Sequence, residues 1–144
     1  MLAGSLEAMS DAHVPVNSPA TFGEAEVHDS DAMTTLSLLD IAPSPAPQRP
    51  RPAVQRLLQG DGANLIVFTF APGQSLPDHR AAHPITVQCL SGSLEFTCGD
   101  QTAPLDPGVV IHLREHITHR VDCPADAPDE ANVLLVTMLT GERH

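Results

Sequence analysis

Five of the eight histidines fall in one stretch: His79, His83, His112, His116 and His119. A neutral imidazole offers a lone pair and changes charge near neutral pH, so it suits metal ligation and proton transfer. A divalent metal needs three or more N, O or S donors converging on one point. On an extended strand, residues 79, 81, 83 and 85 share one face, which sets His79 and His83 together. Pro84 disturbs the ladder there. Gln88 has the opposite parity and reaches the same face only through a bulge. His112, His116 and His119 lie close in sequence; His116 reads as a water-facing turn residue and His112 as a strand residue at the surface. Asp78 adjoins His79, but strand neighbours point to opposite faces. Cys89 and Cys98 read as small buried side chains rather than nucleophiles. No Ser/His/Asp grouping has local support, so no catalytic residue is assigned.

These side chains need strands to hold them. From Val54 onward, short apolar runs alternate with turn signals. Val54–Leu58 is followed by Asp61-Gly62, a hairpin signal. Asn64–Phe70 is rich in β-branched and aromatic residues. Ala71-Pro72-Gly73 turns. Ile85–Leu90, Ser91-Gly92-Ser93 and Leu94–Cys98 read as strand, tight turn and strand. Gly99-Asp100 turns again. Pro107-Gly108 precedes a strand over 109–113, Ile117–Val121 follows, and Val133–Leu139 is the last apolar run. Seven or eight short strands at such spacing predict an all-β sandwich or barrel, not βαβ units. The 14 prolines and 9 glycines also exclude a helical bundle.

Residues 1–52 differ from the rest. They carry seven acids and only Arg49 and Arg51 as bases. Met33–Ile41 suits a short helix or strand. Pro43, Pro45, Pro47, Pro50 and Pro52 favour a stiff polyproline spacer. The segment reads as an acidic, Pro-rich extension, partly disordered over its first 25 or so residues or laid as an arm on the domain or on a partner subunit. The domain proper is placed at 53–140, with 141–144 as a tail.

The net charge is −11, all seven bases are Arg, and no basic cluster exists. That excludes nucleic acid and an anionic membrane surface as partners. Three cysteines without a CxxC pair fit a reducing compartment. With no signal-peptide pattern and no long apolar run, the expectation is a cytoplasmic protein.

The spacing Gly73, His79, Gly92, then Pro107-Gly108 and His119, resembles the two motifs of the cupins. The resemblance implies a double-stranded β-helix, or jelly-roll, barrel with a metal pocket. It covers residues 54 to 140. His79 falls on the first metal histidine and His119 on the last. The second histidine position falls on Ala81 and the glutamate position on Ile85. The chain is similar to small single-domain cupins carrying His79, Gln88, Leu90 and Gly92 at these spacings. His83 is the residue available to replace the missing histidine, so the implied metal set is His79, His83, Gln88 and His119. The metal would be Zn, Ni, Fe or Mn. Phe68, Phe70 and Met138 are assigned to the pocket.

The resulting expectation is a pocket for a small molecule, with a divalent metal as its candidate cofactor. The alternatives are a metal-dependent dioxygenase or isomerase acting on a small organic acid, and a structural or interaction domain. A homodimer is expected from paired sheet edges or an exchanged arm.

Overall fold

The computed structural model describes residues 14–141. Its strands, in chain order, are β1 (Val16–Asn17), β2 (Val27–His28), β3 (Ala53–Gln59), β4 (Ala63–Phe70), β5 (Ser75–Ala81), β6 (Ile85–Ser91), β7 (Leu94–Cys98), β8 (Gln101–Leu105), β9 (Val110–Leu113), β10 (His119–Asp122) and β11 (Asn132–Leu139). One helical turn, α1 (Leu38–Ile41), lies in the extension. One sheet runs β1-β5-β10-β7-β8 and the other β2-β3-β4-β11-β6-β9. Among the described residues, only β1 on β5 and β2 on β3 are parallel; every other pairing is antiparallel. The two sheets face each other as a jelly-roll barrel.

The hairpin signals act as read. Gly62 lies at φ 82 between β3 and β4, and Gly92 at φ 93 between β6 and β7, conformations open to glycine without cost. Gly92 has a second reason. A Cβ there would sit 2.2 Å from Asn132 Oδ1 and 2.9 Å from its Cα. Asn132 is fully buried; its amide donates to Phe70 O and Asp129 O, and its Oδ1 accepts from Ser93 N. The turn is thus clamped to the start of β11.

The apolar alternation is imperfect because the larger sheet is covered on both faces. On β4, Ile66, Phe68 and Phe70 enter the barrel core, with Val136 and Met138 from β11. The opposite face carries Val67, Val133, Leu135 and Leu57, covered by Leu38 and Ala42 of the extension. Burial on both faces favours near-continuous apolar runs over strict alternation.

The short β1 and β2 of the extension and β8 escaped the sequence reading, and β5 was read as extended only over residues 79 to 85. β8 contains Pro104, tolerated because β8 is an edge strand. β5 contains Pro77 and Asp78, and pairing with β1 and β10 on its two sides makes it a strand. Over 14–25 the extension lies on the barrel: Arg80 N–H donates to Pro15 O (2.9 Å) and Ala82 N–H to Asn17 O (2.8 Å). The expected tail over residues 1–13 falls outside the described residues. No helix among the described residues is long and apolar enough to cross a membrane.

Candidate functional site

His79 and His119 are direct partners across the β5–β10 ladder. The register shifts just beyond them, where β10 moves from His119 to Val121 while β5 moves from His79 to Leu76. Directly opposed residues on one face bring their side chains into contact. Here the ring centroids lie 4.1 Å apart at an angle of 63°. Phe96 stacks on the far side of His119 at 5.3 Å. Both imidazoles are nearly sealed from solvent, with exposures of 9% and 3%.

Each ring is held the same way. His79 Nδ1 lies 2.9 Å from Pro77 O, and His119 Nδ1 lies 2.9 Å from Ile117 O. A carbonyl only accepts, so Nδ1 carries the proton and donates it, which leaves Nε2 as the lone-pair nitrogen of both rings. Neither Nε2 has a hydrogen-bond partner among the described residues. Burial lowers the pKa of both. His119 is brought down to about 4, by burial first and by its neighbour His79 second. For His79, burial outweighs the Pro77 carbonyl and Asp78, which pull the other way. At neutral pH the pair is therefore uncharged and presents two acceptors.

The two rings form one wall of a small cavity of about 10 Å³. That is room for about one water molecule. The rest of the wall is mostly apolar: Ile66, Phe68, Ala81, Ile85, Val136 and Met138, with Asn17 and Phe22 from the extension. Phe68 and Met138 line the cavity. Phe70 is buried in the same core but does not reach the cavity.

The remaining expected ligands do not come to this point. His83 lies in the bend after β5, and its buried Nδ1 has no hydrogen-bond partner. The strand that would have carried residues 79 to 85 on one face ends at Ala81, so parity with His79 no longer holds. Gln88 sits between Val87 and Cys89, both buried in the core, so it faces the other side of the sheet. The bulge on β6 comes after Cys89, too late to turn Gln88 inward. His112 is exposed, with Nδ1 2.9 Å from Ile85 O, and His116 is exposed in the turn at φ 62. Burial raises the thiol pKa of Cys89 to about 11 and also raises that of Cys123, which disfavours the thiolate in both.

A resident metal can be tested against this donor set. The tautomers suit ligation, since a backbone carbonyl holding Nδ1–H leaves Nε2 free. The number of donors does not. Ala81 and Ile85 do face the cavity, but they bring no lone pair. Among the described residues, no three His, Cys, Asp or Glu side chains gather as a metal group. Two imidazoles fall short of the three protein ligands of an open catalytic site.

Sequence reasoning missed Asn17 and Phe22. A signal existed for the second, because Phe22 is the only aromatic residue of the first 52. Its ring meets Phe68 edge to face at 5.6 Å.

The family model of the Cupin domain matches residues 66–137. No curated protein matches the chain. Solved structures share the fold. A cupin protein of Desulfovibrio desulfuricans is 25% identical, with 75% of this chain and 98% of that one covered and a TM-score of 0.60. A Thermus thermophilus protein is 22% identical over 75% and 98% of the two chains, with a TM-score of 0.62. A cupin family protein of Methanocaldococcus jannaschii, described as a double-stranded β-helix, is 12% identical over 65% and 84%, with a TM-score of 0.55.

Proposed function

The chain belongs to the cupin family, and we propose that it is a small-molecule binding protein whose ligand gives a hydrogen bond to the His79–His119 pair. One observation carries this reading: two tautomer-locked, uncharged imidazoles face a cavity whose remaining wall is apolar apart from Asn17. Such a wall favours a neutral ligand with an apolar body and a hydroxyl or N–H group. A bare anion would lose its hydration with no cation to replace it, which buried sites do not tolerate. A neutral hydrogen bond contributes about 1 kcal/mol. The apolar contact contributes about 25 cal/mol per Å² covered.

Thermal unfolding of the full chain with phenol, benzene, or Zn²⁺, Ni²⁺ or Mn²⁺ tests the reading, since a ligand specific for the folded state raises Tm. Phenol is expected to stabilise more than benzene, and a His79→Phe, His119→Phe double variant to lose that preference. Equal stabilisation by phenol and benzene, or stabilisation by a metal ion alone, refutes it.

A further inference from the structure

The cavity as it stands admits nothing larger than about one water molecule. What makes it small is not the barrel alone. Asn17 and Phe22 belong to the extension, and both line the cavity. Within the segment carrying them only Pro19 is buried, and Phe22 packs on the core; the rest is half-buried or exposed. β1 is two residues long and pairs with β5 through Val16 and Asn17 only. Val16 is half exposed. A single tight turn, Pro19–Phe22, then lowers Phe22 onto Phe68. At the far end, Arg56 Nη1 donates to Gly23 O at 2.9 Å. Arg56 is itself buried, and its Nε and Nη2 hold Asn64 Oδ1. Gly23 lies at φ 82, and a Cβ there would meet nothing within 4 Å. Its backbone conformation, not crowding, makes glycine the suitable residue at this bend. Elements with few buried contacts open locally far more readily than core strands.

We propose that residues 14–23 form a strap that closes the ligand cavity, with the Phe22 ring occupying the place of a ligand's ring. The strap lifts about Gly23 to admit the ligand. The ligand class follows from what the strap leaves behind: a ring-sized apolar body, received against Phe68. This rests on the cavity being the ligand site, but the strap and the histidine pair fail in different ways. A closed state that dominates lowers apparent affinity by the fraction of molecules that are open. Phe22→Ala vacates the ring's place. Gly23→Ala strains the closed strap without touching the cavity wall.

The test uses the full chain, with phenol and benzene as probes and hydrogen exchange as readout. In the wild type, the amides of Arg80 and Ala82, which the strap carbonyls hold, are expected to exchange faster than those of the β4–β11 ladder. Phenol is expected to speed them further while protecting the rest of the barrel. Both variants are expected to bind phenol at least about tenfold more tightly than the wild type. Phenol that slows exchange at Arg80 and Ala82, or folded variants that bind no tighter, would overturn the strap. Variants that gain equally for phenol and benzene keep the strap and remove the hydrogen-bonding role of the histidines. If neither variant folds, exchange in the wild type decides: Arg80 and Ala82 as slow as the β4–β11 amides sinks the proposal.

Discussion

Replacing His119 by Gln changes how stability depends on pH, and the size of the change follows from the buried pair. His119 has its pKa lowered from 6.5 to about 4, chiefly by burial. The unfolded chain takes up a proton as pH falls through 6.5, while the folded chain does not until about pH 4. The folded state is therefore fully favoured above pH 6.5 and loses stability progressively down to about pH 4. At 1.36 kcal/mol per unit of pKa, the full loss is about 3 kcal/mol, most of it reached by about pH 4.5. His79 shifts in the same direction by its own burial and remains in both proteins, as does the net charge of −11, so both largely cancel in the comparison. The chain has no Trp or Tyr, so urea unfolding is best followed by far-UV circular dichroism. Between about pH 7.5 and about pH 4.5, the wild type is expected to lose about 2 to 3 kcal/mol more than His119→Gln. Equal losses in the two proteins, within about 0.5 kcal/mol, would show that His119 is not held neutral by its surroundings.

Two further outcomes are expected. Gly92→Ala forces a Cβ onto Asn132 at φ 93, whereas Gly99→Ala, at φ 63, meets nothing within 4 Å. Urea unfolding should show a cost of about 3 kcal/mol or more for the first and about 1 kcal/mol for the second, and equal costs would discredit the Asn132 clamp. Ala81 and Ile85 face the cavity at the positions where the cupin resemblance sets a histidine and a glutamate. Ala81→His with Ile85→Glu should therefore create a Co²⁺ site with visible d–d absorption that the wild type lacks, at a packing cost of about 1–3 kcal/mol. A folded double variant as colourless as the wild type would mean that these positions do not converge with His79 and His119.

Much of the barrel was legible because strand and turn signals are local. Leu94–Cys98 is bounded as read, and Asp61-Gly62 and Ser91-Gly92-Ser93 lie at hairpins. The first half of β5 was illegible because Pro77 and Asp78 oppose a strand locally, and only its neighbour β10 supplies the pairing there. His83 misled because parity holds only while a strand continues, and β5 ends at Ala81.

The sequence by itself determined that this is an all-β chain, because residue types and turn signals act over a few residues and suffice to mark most strands. That His79 and His119 hold matching barrel positions was what the resemblance to the cupins implied. Only the tertiary structure decided what surrounds the pair. His79 and His119 are neutral because burial, a long-range property, removes water from both. Phe22 reaches the cavity from 46 residues before Phe68, through a two-residue strand and one Arg56 bond too slight to leave a pattern in the chain.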